Sequence, residues 1–196
     1  ILIPRGVETS QNRLRAAYCD QPLTFQHIFQ AIVVPDGQSD RAKLLTAILN
    51  SRVAVWYAFH GTASFGSDRP EVQQAALLHL PFPSPDDVPD PAAAAQAALK
   101  LIAVVNDARE RSNEPFSMRV DDGDVLRTID HLAYKYFCLS PDEIALIDDT
   151  VEVILPALQP HEGHFPKLWG APDEPQRAQY AHTLSASLAD WFKGKK

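Results

Sequence analysis

The hydrophobic pattern changes period twice along the chain. Residues 1–4 and 13–19 alternate as short strands do. In the second, Arg13, Arg15 and Ala17 fall on one face, with Leu14, Ala16 and Tyr18 on the other. That predicts a half-exposed strand with a basic face. Residues 23–34 are rich in Phe, Ile and Val and end at the turn signal Pro35-Asp36-Gly37, so a third strand or a strand pair is expected there. From Asp40, a candidate N-cap, Leu45, Ile48, Leu49, Val55, Trp56 and Phe59 recur at three- and four-residue spacing. This predicts one helix to about His60, packed on the sheet.

After Gly61 the pattern lapses into a polar loop, 62–70, and resumes as a short helix-like run, 72–79. Residues 81–91 then hold five of the chain's 16 prolines, with Asp86, Asp87 and Asp90. Such a segment is stiff, extended and acidic, and is the expected boundary between a first domain, 1–85, and a second, 86–196. Beyond it the pattern is helical only. An Ala- and Leu-rich helix is expected over 92–111, and an amphipathic one over 125–137 with Ile129, Leu132, Ala133 and Tyr136 on one face. Ser140-Pro141-Asp142-Glu143 is a capping box opening a third helix, 144 to about 154. Residues 156–175, broken by Pro and Gly, read as loop, and 176–192 return to helix with Tyr180, Leu184, Leu188 and Trp191 on one face. The expected fold class is α+β: a small mixed sheet with a packed amphipathic helix, then an all-helical C-terminal unit.

Composition narrows the class. At 196 residues, 45% hydrophobic and 22% charged, the chain can bury a core and is neither disordered nor membrane-like. Its longest apolar stretches, such as 151–158, are too short to span a bilayer, and a secretory signal pattern is missing, so a cytoplasmic protein without membrane partners is expected. The chain opens in mid-strand without an initiator Met, and Met118 is its one methionine, which reads as a piece of a longer polypeptide. Cys19 and Cys138 lack a CxxC partner, so reduced thiols are expected rather than a zinc cluster or a disulfide framework.

The net charge of -7 argues against a stand-alone nucleic-acid binder, because phosphate attraction is the main non-specific driving force. The charge is unevenly placed: residues 1–80 carry seven Lys/Arg against six Asp/Glu, a balance of +1, which leaves -8 on the remainder. If either part meets DNA, it is the first.

No nucleophile elbow, P-loop, dinucleotide-binding glycine pattern, HExxH or paired deaminase motif occurs in the sequence. His161 and His164 flank Glu162 without a third ligand group nearby, and an incidental polar loop is the plainer reading. Asp121, Asp122 and Asp124 around Gly123 resemble the start of a calcium loop, but Leu132 stands where the bidentate Glu belongs. Asp148 and Asp149 read as surface residues near a helix end. Arg13 and Arg15 are candidates for phosphate contact, against the plain alternative of an exposed strand face. In the loop 64–69, Ser64 and Ser67 suit phosphate, Phe65 stacking, Gly66 close backbone approach and Arg69 guanine, against the plain alternative of a connecting loop.

The segments 1–6, 13–18, 45–52, Trp56-Tyr57, Phe65-Gly66, 69–72 and 80–85 form an ordered series. It resembles the C-terminal target-recognition part of adenine-specific DNA methyltransferases of restriction-modification systems. Leu49-Asn50-Ser51 matches that family's leucine-asparagine-serine segment, and residues 80–85 its proline-rich exit. Residues 129–144 are similar to the segment often found after that exit, departing from it with Cys138 where glycine is usual. The resemblance spans about residues 1–147.

What the resemblance implies is methyl transfer from S-adenosylmethionine to the exocyclic amine of a flipped adenine, carried out by an upstream domain bearing an asparagine-proline-proline-aromatic motif. This sequence has no such motif. The implied role is therefore non-catalytic target recognition: holding double-stranded DNA in register, with Arg13, Arg15, Ser64, Phe65, Ser67 and Arg69 as candidate DNA-binding residues. No cofactor is expected in this chain, S-adenosylmethionine being implied for the parent protein. The implied partners are duplex DNA and a catalytic methyltransferase domain upstream or another subunit. A helical protein-interaction module without DNA contact, and an enzyme with an unrecognised site, stay open as alternatives.

Overall fold

The structure, a computed structural model, describes residues 1–7, 11–62, 65, 71–111, 123–158 and 172–193. The chain divides into two units, Ile1–His164 and Phe165–Lys196.

The sheet of the first unit is short. β1 (Leu2–Pro4) pairs antiparallel with β2 (Phe29–Ala31), Ile3 standing opposite Gln30. The sheet is thus antiparallel rather than mixed. The expected strand over 13–19 forms isolated bridges instead of a continuous ladder; in one of them Leu2 and Ala17 exchange backbone hydrogen bonds of 2.8 Å. Asn12 and Arg15 take left-handed φ values of 51° and 54°, which interrupts the alternation of faces that an extended strand requires. Consequently Arg13 and Leu14, expected on opposite faces, are both buried. In the Phe-rich segment only Phe29–Ala31 is strand, and the turn after it forms as read, with Gly37 at φ 81°.

The single helix expected to His60 is two, α1 (Ser39–Leu49) and α2 (Arg52–Gly61). The chain breaks at Ser51, which is extended at φ -84° and ψ 161°. Then come α3 (Gln74–Leu77), a 3-10 turn at Pro85–Asp87 and α4 (Pro91–Arg111). On α4, Ala94, Ala97, Ala98, Leu101 and Val105 recur at three- and four-residue spacing and join the core that holds Leu44, Ala47 and Ile48 of α1. Alanines on that face let the two helices approach closely. α4 also packs on α5 (Gly123–Tyr136), which buries Leu126, Ile129, Leu132 and Tyr136 in the same core.

α5 ends in a reversal that the sequence marks with Cys138. Leu139 N–H donates to Tyr134 O at 3.0 Å and Cys138 N–H to Lys135 O at 3.1 Å, with Cys138 itself at φ 53°. This is the Schellman arrangement, in which the left-handed position favours glycine. Cys138 therefore keeps the sharp turn despite its side chain. α6 (Pro141–Asp149) opens with the expected capping box: Ser140 Oγ accepts from Glu143 N–H at 3.3 Å, and Ser140 N–H donates to Glu143 Oε2 at 2.8 Å. It continues through a π-helical segment, Thr150–Ile154, into α7 (Leu155–Leu158).

The proline-rich segment does not separate two cores. Leu80 is buried, Phe82 and Val88 pack on the main cluster, the Tyr136 hydroxyl donates to Pro83 O, and the Arg41 guanidinium lies 5.5 Å from the Phe82 ring centroid. The stretch expected to divide 1–85 from 86–196 therefore runs across the surface of one continuous core within the first unit. The described part of the second unit is a single helix, α8 (Glu174–Lys193), bearing Tyr180, Leu184 and Leu188 on one stripe.

Candidate functional site

The polar centre of the first unit is Asp130, on α5 and 5% exposed. Its Oδ1 accepts from Arg13 Nη1 at 2.7 Å and from the Arg52 backbone N–H at 2.8 Å. Oδ2 accepts from Arg13 Nη2 at 2.6 Å, with Arg52 Nε at 3.4 Å as an ion pair. Arg13 thus holds the carboxylate by a two-pronged fork, the geometry in which guanidinium–carboxylate pairs are strongest. Arg13 Nη1 also donates to Asn50 O at 3.0 Å, next to the break between α1 and α2.

Asn50 explains that break. Its side-chain Nδ2 donates to Thr46 O at 2.9 Å and to Ala16 O at 2.8 Å, while its Oδ1 accepts from Ala16 N–H at 3.0 Å. The amide therefore pairs with Ala16 on both its donor and acceptor sides, as a strand neighbour would. Ending α1 at Leu49 frees Asn50 for this pairing, and starting α2 at Arg52 aims its first N–H at Asp130.

Arg52 carries the network outward. Its Nη1 lies 2.7 Å from Asp148 Oδ1 and 2.6 Å from Glu152 Oε1, and Tyr134 donates its hydroxyl to the same Asp148 oxygen at 2.7 Å. Burial first, then the hydrogen bond to Asp148, raises the Tyr134 phenol far above the ordinary tyrosine value, so it stays protonated as a donor. The Arg52 guanidinium is held charged by its bonds to Asp148 and Glu152, which outweigh the opposing effect of burial. Asp148, expected as a surface residue, is thus a link in a partly buried network.

This constellation binds segments together. Both Asp130 oxygens are occupied by donors from this chain, and a carboxylate so enclosed does not serve as a base for an outside substrate. Among the described residues no group of three or more His, Cys, Asp or Glu could hold a metal ion. His161, Glu162, His164, Asp121 and Asp122 lie outside the described residues, whereas Asp124 is exposed and pairs with Arg127 one turn along α5. Among the described residues no helix is long and apolar enough to cross a membrane.

The candidate DNA-binding residues separate. Arg13, expected on an exposed basic face, is 5% exposed and committed to Asp130, because the left-handed residues on either side of it turn it inward. Phe65, expected as a stacking group, is 1% exposed and meets Phe59 edge-on with ring centroids 6.2 Å apart. It is a core residue. Arg15 is exposed, as expected. Ser64, Ser67 and Arg69 lie outside the described residues. On either side of that segment, Thr62 N–H and hydroxyl donate to Ala58 O, and Val72 N–H donates to Arg5 O at 3.0 Å.

Asp130, Asn50, Arg52 and Asp148 are not recognisable from the sequence as parts of one site. The one signal for them was the Leu49-Asn50-Ser51 segment, since a polar pair inside an apolar helical period calls for a tertiary partner. Compared with protein-family models, with curated proteins and with solved structures, the chain has no match.

Proposed function

We propose that this chain is the non-catalytic DNA target-recognition part of an adenine-specific, S-adenosylmethionine-dependent DNA methyltransferase of a restriction-modification system. In this reading its partners are duplex DNA and a catalytic domain upstream or on another subunit, and the cofactor belongs to that domain.

One observation supports the reading above others. Three segments that carry the resemblance, 13–18, 45–52 and 129–144, lie far apart in sequence yet meet at Asp130 through Arg13, Asn50 and Arg52. These segments share one buried hydrogen-bonded hub and so form a single structural unit. The hub fastens the sheet end of the unit to its helices, which is what a scaffold for a recognition loop needs.

The DNA-facing groups in this proposal are Arg15, Ser64, Ser67 and Arg69. Arg13 and Phe65 take structural parts, Phe65 as a core residue against Phe59. The net charge of -7 means that steering toward DNA falls to a few local cations and to the partner domain. The test is fluorescence anisotropy of labelled duplex DNA at low and moderate salt, comparing wild type with Arg15→Ala and Arg69→Ala. Salt-sensitive binding weakened in both variants is expected. Binding absent at low salt, or unchanged in both, overturns the assignment.

The alternative of a helical protein-interaction module is favoured by one observation, an apolar groove bordered by α2 and α6.

A further inference from the structure

The groove has a volume of about 390 Å³ and lies within the first unit. Its lining includes Trp56 and Tyr57 of α2, Phe137 and Leu139 on either side of Cys138, and Leu146 of α6. Leu146 is 61% exposed, although it sits between residues that pack inward on the same helix, Ile144 and Ile147. A large aliphatic side chain held at the lip of an aromatic-lined groove is the kind of apolar surface that a partner covers.

Two features decide what kind of partner fits. The groove offers almost nothing to orient a small polar ligand. The Tyr57 hydroxyl is already committed to His79 O at 2.6 Å, and Glu143 is the one charged residue of the lining. Small-molecule sites add convergent polar groups to their apolar walls, and this one lacks them.

The second feature is the sign of the charge that α6 places around Leu146. Between residues 140 and 158 the sequence has five carboxylates and no Lys or Arg. Asp148 and Glu152 are taken by Arg52. The other three, Asp142, Glu143 and Asp149, are all exposed and stand four before, three before and three after Leu146, the spacing that puts them around it on one helical face. The backbone hydrogen bond from Ser140, then that from its hydroxyl, hold Glu143 below the usual carboxylate range, so it is charged at neutral pH. Among the described residues both bonds fall on Oε2, which leaves Oε1 to a cation.

We infer that this groove docks an amphipathic helical segment of a partner protein, one that inserts bulky apolar side chains beside Leu146 and sets Lys or Arg against Asp142, Glu143 and Asp149. Helix-in-groove recognition works by this division: apolar anchors supply affinity, and complementary charge at the rim supplies orientation and rate. The inference does not depend on the DNA reading, and its test contains no DNA.

The probe is a dye-labelled amphipathic peptide with Leu and Phe at three- and four-residue spacing and lysines along one edge, titrated with the full chain and followed by anisotropy. A second peptide has glutamates in place of the lysines. Leu146→Gln and Asp149→Lys change exposed positions, and circular dichroism checks that both stay folded. Expected are salt-sensitive binding of the lysine peptide, a loss of at least about tenfold in Leu146→Gln, and about threefold weaker binding in Asp149→Lys. Equal binding of the two peptides, or binding indifferent to Leu146→Gln, overturns the inference. So does concentration-dependent self-association of the chain that Leu146→Gln abolishes, which would assign the groove to a second copy.

Discussion

Replacing Asp130 by Asn keeps the side-chain shape and removes one charge from the hub. The amide oxygen can still accept from Arg13 Nη1 and from Arg52 N–H. The amide nitrogen then faces Arg13 Nη2, 2.6 Å from the present Oδ2, and Arg52 Nε at 3.4 Å, donor against donor. Arg13, 5% exposed, loses its counter-ion without gaining access to water. Breaking one side of such a buried pair costs about 3–5 kcal/mol, against a total of about 5–15 kcal/mol for an ordinary domain. In a unit of this size each kcal/mol lowers Tm by about 2–4 °C, so Asp130→Asn should lower it by roughly 6–20 °C. Arg13→Met is predicted to cost less, about 1–3 kcal/mol, because Asp130 retains the Arg52 N–H and guanidinium. Urea unfolding of the two variants measures both. Changes below about 0.5 kcal/mol in Asp130→Asn would refute the reasoning, since that is the range of an indifferent surface substitution.

Three further outcomes follow from the same structure. Asn50→Ala strips Ala16 of a partner for both its N–H and its C=O and should destabilise by about 2 kcal/mol or more in urea unfolding, with no loss expected if the α1–α2 break forms without that amide. Cys138→Gly relieves a left-handed side-chain residue and should stabilise by up to about 1 kcal/mol, whereas a clear loss would mean that the Cys138 side chain contributes packing the turn needs. Glu143 has its folded value depressed, so its contribution is present above the unfolded carboxylate value and disappears as pH falls through the folded one. In an NMR titration Glu143 should titrate below the ordinary range in wild type and move only partway back in Ser140→Ala, which removes the hydroxyl bond and keeps the backbone one.

Much of the helical part was legible in the sequence because its signals are local. Pro91 at the first turn of α4, the Ser140–Glu143 capping box and the apolar face of α5 each act within a few residues. The sheet and the α1–α2 break were not, because their causes are distant. Asn50 ends a helix to reach Ala16, and Arg13 turns inward to reach Asp130, 117 residues away. Nothing near Arg13 distinguishes a basic strand face from a buried fork, and a favourable aromatic such as Phe65 reads equally as a stacking group or as core. The proline-rich segment misled for a related reason. Its composition suits a linker, but Phe82, Val88 and the bond from Tyr136 to Pro83 O hold it against the core. For the candidate site the consequence is practical: weakened DNA binding in an Arg13 variant would report on folding, while Arg15 and Arg69 test contact.

The central claim, that this chain reads DNA through Arg15 and the 64–69 loop, is tested most directly by the dependence of DNA affinity on salt. A residue that neutralises a phosphate contributes about one unit to the slope of log K against log salt, and its removal weakens binding to all sequences alike. The account predicts a measurable negative slope for wild type, a slope shallower by about one unit in Arg15→Ala, and relaxed sequence preference in Arg69→Ala. A slope indistinguishable from zero in wild type, or slopes and preferences the same in all three proteins, would contradict it.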